Sequence, residues 1–172
     1  NTGSLTDLRL TTTDRAPQAT GLVEMTVNLP AGAALPTNPV FDPLDPSSFT
    51  QSTSMTVYDS LGSAHTSTYY FVKGAVPGAW DVHTYIDGNA VGGANALSYT
   101  SAGLLSAPAG GLITLPAYDP ANGAAPMNLT VDLGDSTQFG GPFGVNALTQ
   151  DGYAAGRLAS IDINPEGVVF AR

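Results

Sequence analysis

An all-β fold, built as an antiparallel sandwich or a partly closed barrel, is what this sequence predicts. Apolar and polar residues alternate at the two-residue period of a strand, turn signals separate the alternating runs, and no stretch carries helical periodicity with caps. Composition agrees. Hydrophobic residues make up 42%, enough for a core, but charged residues are only 11%, against roughly 25% in an average globular protein. Thr, Ser, Asn, Gly and Pro supply the polarity instead, which favours strands joined by many turns over charge-laced helices.

Along the chain, Val23 to Leu29 places apolar side chains at every odd position. Pro30 to Pro46 follows with five prolines (Pro30, Pro36, Pro39, Pro43, Pro46) and cannot continue a sheet interior, so it reads as a long connection across the surface. Met55 to Tyr58, the turn Asp59-Ser60-Leu61-Gly62-Ser63 and the run His65 to Lys73 form a hairpin. Trp80, Val82, Thr84 and Ile86 share one face of the next strand, with Asp81, His83 and Tyr85 on the other. The turn Asp87-Gly88-Asn89 leads to a short strand at Ala96 to Tyr99, and the Ala/Gly-rich Ala102 to Gly111 reads as a loop. After Asn122-Gly123, Met127, Leu129, Val131 and Leu133 alternate with Asn128, Thr130 and Asp132. Asp151-Gly152 marks another turn, and Ile161 to Phe170 reads as two strands around Asn164-Pro165-Glu166-Gly167. No internal repeat recurs at a fixed period.

A chain of 172 residues accommodates one ordinary domain, or one domain and part of a second. Five Lys+Arg against fourteen Asp+Glu give a formal charge of −9, and the basic residues Arg9, Arg15, Lys73, Arg157 and Arg172 are scattered. Such a surface repels phosphate backbones and anionic headgroups, so neither nucleic acid nor a membrane is expected as a partner. The absence of cysteine removes disulfides, thiol catalysis and Cys-based zinc sites. No apolar run approaches the roughly 20 residues that span a bilayer. Beginning at Asn1 without an initiator Met, the chain reads as an excised fragment.

No residue stands out as catalytic, cofactor-binding or metal-binding, and no cofactor is expected. His65 and His83 lack the spacing of a helical zinc site and read as exposed or singly hydrogen-bonded imidazoles. Asp42 with Asp45, and Asp132 with Asp135, lie too sparsely for a calcium loop and read as turn-capping carboxylates. There is no G-x-S-x-G elbow, and Gly110-Gly111 and Gly140-Gly141 lack the Lys of a phosphate loop. Asn128-Leu129-Thr130 is formally a glycosylation sequon, but it lies inside a strand pattern and reads as accidental. Tyr69, Tyr70, Phe71, Trp80, Tyr85 and Tyr99 could form a sugar-binding platform, although alternating strands more often use aromatics as core and cross-strand pairs. A β-sandwich hydrolase with an Asp pair and an extracellular adhesin or carbohydrate-binding module are therefore the readings from other classes.

Ordered motif blocks point elsewhere. Ser54-Met-Thr-Val-Tyr-Asp-Ser-Leu-Gly-Ser-Ala-His65, running on to Tyr69-Tyr-Phe-Val-Lys73, resembles a stretch of the bacterial flagellar hook protein family, FlgE. Trp80 to Tyr85, Ser136-Thr-Gln-Phe139, Gln150 to Leu158 and Ile161 to Phe170 resemble further blocks of that family in the same order. The blocks span about Thr20 to Arg172, whereas the first twenty residues match only loosely.

The resemblance implies an extracellular structural subunit of the hook, exported by the flagellar type III route and carrying no enzymatic activity. The hook is the curved universal joint between the rod or basal body and the filament. It further implies residues 1–15 as the end of a first D1 segment, 16–148 as the outer β-rich D2 domain, and 149–172 as the start of the returning D1 segment, a small β segment of a second domain. Gln150 to Tyr153 would then sit at the interdomain crossing, where a Gly turn suits a hinge. The expected partners are other hook subunits and, through regions outside this chain, the hook cap, rod and hook–filament junction proteins. Lacking the family's terminal helices, this chain is expected not to polymerise as a full subunit does. Asn89 to Asn122 departs from the family by its high Ala/Gly content.

Overall fold

The structure, a computed structural model, describes residues 15–156, 161–163 and 169–171. Strands β1 (Leu22–Asn28), β8 (Leu112–Thr114), β9 (Thr130–Asp132) and β10 (Gly144–Gln150) form one sheet in the order β10-β1-β9-β8. Strands β2 (Gln51–Tyr58), β3 (Ala64–Lys73), β4 (Ala79–Ile86), β6 (Asn95–Tyr99) and β7 (Leu105–Ala107) form the other in the order β2-β3-β4-β6-β7, with β5 (Asn89–Ala90) beside β4. A separate antiparallel pair joins β11 (Ile161–Ile163) to β12 (Val169–Ala171), as the sequence reading expected; its connecting turn lies outside the described residues.

The two principal sheets close over one core, as a sandwich and not a closed barrel. The odd positions of β1 and the residue after it (Val23, Met25, Val27, Leu29) are buried against Tyr69, Phe71, Trp80, Val82 and Ile86 of the second sheet. These are the faces that the two-residue period picks out, because successive side chains on a strand point to opposite sides. Burial also alternates along Met127, Leu129, Val131 and Leu133, but only Thr130–Asp132 pairs as a strand. Met127 instead bridges back to Tyr118.

Three features depart from the sequence reading. The sheets are not wholly antiparallel: β1 runs parallel to β9 (Leu22↔Thr130, Val23↔Val131, Glu24↔Asp132). A parallel pair needs a long crossover, and the entire second sheet supplies it here, inserted between β1 and β9 in the chain. Ala102 to Gly111 is not simply a loop, since Leu105–Ala107 pairs with β6 and a 3-10 turn occupies Ala109–Gly111. Three residues of strand are too few to show a period. The Pro-rich segment after β1 is a surface connection, as expected, but it also forms a strap that lays aromatic rings on the outer face of the second sheet.

Candidate functional site

A groove of about 550 Å³ runs between the strap and residues 140–142. Pro30, Leu35, Pro36, Phe49 and Pro142 line it together with small and uncharged polar residues, and no acid, base or imidazole enters the lining. Ionisable groups gather instead at one end of the second sheet, around His65.

That cluster grows from two turns. The β2–β3 turn is closed by Asp59, whose Oδ1 accepts from the backbone N–H groups of Leu61 (2.8 Å) and Ser63 (2.8 Å). Gly62 completes it at φ +82°, in the left-handed region that glycine enters without steric cost. The β4–β5 turn is built on Asp87, whose Oδ1 accepts from the Thr66 N–H at 2.8 Å. His65, at the start of β3, lies between them. Its Nδ1 is 2.6 Å from Asp87 Oδ2 and its Nε2 is 3.2 Å from Asp59 Oδ2. Asp59 Oδ2 also accepts from Asn122 Nδ2 at 2.6 Å, and Ser60 Oγ accepts from the Ala125 N–H at 2.9 Å. Two hairpin turns and the distant 119–125 segment are thus tied at one point.

His65 was expected to be exposed or to make one hydrogen bond. In fact both ring nitrogens meet carboxylates and its side chain is only 9% exposed, while that of Asp59 is fully buried. Sequence spacing hides this, because Asp87 comes beside His65 only through the β3–β4 register (Ser67↔Ile86). Burial disfavours the imidazolium, yet hydrogen bonds and charge from Asp87 and Asp59 outweigh it and raise the His65 pKa. Burial likewise pushes Asp59 upward, but hydrogen bonds from Asn122, Ser63, His65 and Leu61 hold it well below the usual carboxylate range. Asp87 is lowered in the same way, its desolvation outweighed by His65 and the Thr66 N–H.

A pH dependence of stability follows. The raised histidine contributes its full stabilisation below the unfolded value of 6.5 and loses it as pH rises through the folded value. The lowered aspartates contribute fully above 3.8 and lose that stabilisation as pH falls through their folded values. Urea midpoints should therefore be highest between these two bounds and fall on both sides. His65→Gln should flatten the alkaline limb and shrink the acid limb only in part, because His65 is one of several groups that lower Asp59 and Asp87.

The remaining sequence candidates have local duties. Asp45 accepts from Asn38 Nδ2 (2.9 Å), the Ser47 N–H (2.9 Å) and Ser47 Oγ (2.7 Å), which together lower its pKa. Asp42 caps the Leu44 N–H and Asp132 caps the Gly134 N–H, the turn role that the sequence reading gave them. Asp132 and Asp135 share a shallow depression with Glu24. Among the described residues, no group of three His, Asp or Glu side chains could hold a metal ion.

The aromatic set divides as the strand period predicts. Tyr69, Phe71, Trp80 and Tyr99 are core residues, whereas Tyr70 and Tyr85 stand with His83 on the outer face. That outer row is not open. Phe41 from the strap stacks on His83 at 3.8 Å and 9°, and makes an edge contact with Tyr70 at 5.5 Å; Phe49 makes a second edge contact with Tyr70 at 4.9 Å. Desolvation under this roof lowers the His83 pKa, against the opposing charge of Asp81.

At the opposite flank of the β2–β3 turn, the segments entering and leaving the sandwich run side by side. Arg15 and Gly156 exchange backbone hydrogen bonds (2.8 and 3.1 Å), as do Gln18 and Tyr153 (3.0 and 2.9 Å). The Arg15 guanidinium lies 3.8 Å from the centre of the Tyr153 ring. Asp151 Oδ1 caps the N–H groups of Gly21 and Leu22. Gly152 is needed here for close approach: a Cβ on it would collide with Thr20 and with the Gln18 carbonyl. The β2–β3 turn rests on this crossing. A Cβ on Gly62 would lie 2.8 Å from Pro17 Cβ, 3.1 Å from Ala155 N and 3.3 Å from Ala154 Cα. The Thr20 N–H donates to the Tyr58 carbonyl at 2.8 Å, and Thr20 Oγ1 accepts from the Tyr58 N–H.

Comparison with known proteins gives this architecture its relatives. Residues 28–153 match the family model of the flagellar basal body protein FlaE D2 domain. The flagellar hook protein FlgE of Escherichia coli K12 is 32% identical over 168 residues, covering 95% of this chain and 41% of that protein. FlgE of Salmonella typhimurium LT2 is 29% identical over 160 residues, covering 90% of this chain and 39% of that protein. The chain thus spans about two fifths of the length of these relatives. A 32 kDa fragment of FlgE from Caulobacter crescentus overlays 59% of this chain and 46% of its own at a TM-score of 0.48 and 17% identity.

Proposed function

The chain belongs to the FlaE D2 domain family found in flagellar hook proteins, and from that premise we propose that it is the outer domain of a hook subunit. Residues 16–148 form the D2 body, residues 1–15 end the first inner-domain segment, and residues 149–172 begin the returning one. The observation that carries this reading, together with the family match, is the pairing of residues 15–18 with residues 153–156. A domain inserted into another must begin and end at neighbouring points, and this ladder supplies them.

A hook bends as it rotates, so its subunits slide past their neighbours once in every turn. Outer contacts suited to that are modest and polar, because a strongly hydrophobic interface locks one register. A chain with only 11% charged residues and abundant Thr, Ser, Asn and Gly fits, since it also avoids salt-dependent, directional attraction. Contacts between D2 domains along one helical row stabilise the curved state. The partners are other copies of the subunit, and the cap, rod and junction proteins are met through parts of the subunit outside this chain. The hook lies outside the cell, reached by the flagellar export route. The function is structural and calls on no catalytic step, and the carboxylates of Asp59 and Asp87 hydrogen-bond to His65 within the fold. An adhesin-like platform is disfavoured by the roof that Phe41 and Phe49 place over the outer aromatics.

Deleting Ala16 to Leu148 from the full-length subunit should give hooks that still assemble but are straight, as seen by negative-stain microscopy. Hooks with unchanged curvature would contradict the proposal.

A further inference from the structure

We propose that the Asp59–His65–Asp87 clasp is a pH-sensitive fastening that sets how firmly the outer body seats on its own entry and exit segments. The inference deepens the hook reading and rests on it for its consequence, since those segments are there the junction between two domains. Its physical basis lies wholly in the described residues.

Both nitrogens of His65 are within hydrogen-bond distance of a carboxylate oxygen, at 2.6 Å to Asp87 and 3.2 Å to Asp59. Two such acceptors require two N–H donors, which only the imidazolium possesses. On deprotonation, one nitrogen must turn a lone pair towards a carboxylate. The shorter bond, to Asp87, keeps the remaining proton, so the lone pair faces Asp59. Asp59 is the worse place for it, being fully buried and unable to recruit water, whereas Asp87 is 41% exposed on its side chain. Asp87 and Asp59 are the charged groups that bear on the imidazole, one from each turn, and Asn122 is a neutral partner reaching Asp59 from a third segment.

Asp59 is also the residue that shapes the turn. The Leu61 and Ser63 N–H groups hang on its Oδ1, and between them Gly62 sits against Pro17, Ala154 and Ala155. Repulsion at Asp59 Oδ2 is relieved by moving the Asp59 carboxylate, and that movement loosens the turn where it touches the crossing. Proton loss from His65 thereby softens the seat without disturbing the core. A joint exposed to the external medium gains in this way a bending stiffness that depends on outside pH.

The test is an NMR titration of the 172-residue chain from about pH 5 to 9, following the His65 ring and the hydrogen-exchange protection of backbone amides. The raised histidine should titrate above its ordinary 6.5. Through the same midpoint, protection at Ser63 and at Tyr153 should fall roughly tenfold, the equivalent of one pKa unit of coupling, while Leu29, bonded to Thr137 in the body, stays constant. His65→Gln, which offers a single donor group at every pH, should abolish the step at Tyr153. Should His65 titrate without any change at Ser63 and Tyr153, or should the step persist in His65→Gln, the fastening is refuted. If the variant does not fold, the titration of the unaltered chain decides alone. Failure here leaves the hook reading intact, because that reading stands or falls on curvature after the deletion.

Discussion

Replacing Asp59 by alanine should lower the free energy of unfolding by about 3–5 kcal/mol, the scale of breaking a buried, hydrogen-bonded charge pair from one side. The loss has several parts that fall together. The Leu61 and Ser63 N–H groups lose their acceptor, Asn122 loses the 2.6 Å tie that holds the 119–125 segment, and His65 loses half of its ion pairing. Leu61, Ser63 and Asn122 are exposed residues whose donors can turn to water, so each adds less than the roughly 1–3 kcal/mol of a buried unpaired donor, and because all of them meet at one carboxylate the losses do not simply add. Urea unfolding of the wild type and Asp59→Ala at pH 6 measures the difference. Asp59→Asn makes a sharper comparison, because its amide oxygen still caps the turn while the charge opposite His65 disappears; it should recover part of the loss. A change below about 1 kcal/mol, the size of an ordinary surface substitution, would show that the turn is held by something other than Asp59.

Gly111→Ala should be of similar severity, about 3 kcal/mol or more, for a reason of backbone geometry alone. Gly111 has φ +76°, and a Cβ built there would fall on the backbone N and Cα of Gly134. Its carbonyl meanwhile accepts from the Leu133 N–H at 3.0 Å. Two chain segments pass here without room for a side chain, so neither a rotamer change nor the yielding of a flexible neighbour can relieve the contact. The expected observation is a large drop in the thermal midpoint or failure to fold. Gly110→Ala is the matched control: it shares a positive φ (+72°) but has nothing within 4 Å of the added carbon, so it should show only the smaller conformational penalty.

The contrast between these two sites and the core shows what the sequence makes legible. The faces of β1 and β4 follow from alternation alone, since a half-buried strand must put every second residue inside; Val23, Met25, Trp80 and Val82 are buried accordingly. Hairpin β2–β3 is legible too, because its turn residues lie between two runs with strong strand propensity. The clasp is not, for its members are brought together by strand register and by the return of the 119–125 segment, neither of which leaves a local pattern. The same is true of Gly111, whose constraint comes from a segment more than twenty residues later. The parallel pairing of β1 with β9 escaped for a related reason: alternation fixes which face is buried, but not which strand lies alongside or in which direction it runs. Phe41 shows the reverse case. Prolines correctly mark its segment as a surface connection, yet give no sign that the ring covers His83. The motif resemblance adds what periodicity lacks, since it implies a larger subunit around the body.

That placement is tested most directly by an electron-microscopy reconstruction of the curved hook assembled from the full-length subunit. The predicted result puts the two-sheet body at the outer radius, with the crossing of residues 15–18 and 153–156 directed inward. Neighbouring bodies should touch through polar surfaces along one helical row, and those contacts should change around the bend. A body lying in the inner wall of the tube, or outer bodies that make no contact with one another in the curved state, would contradict it.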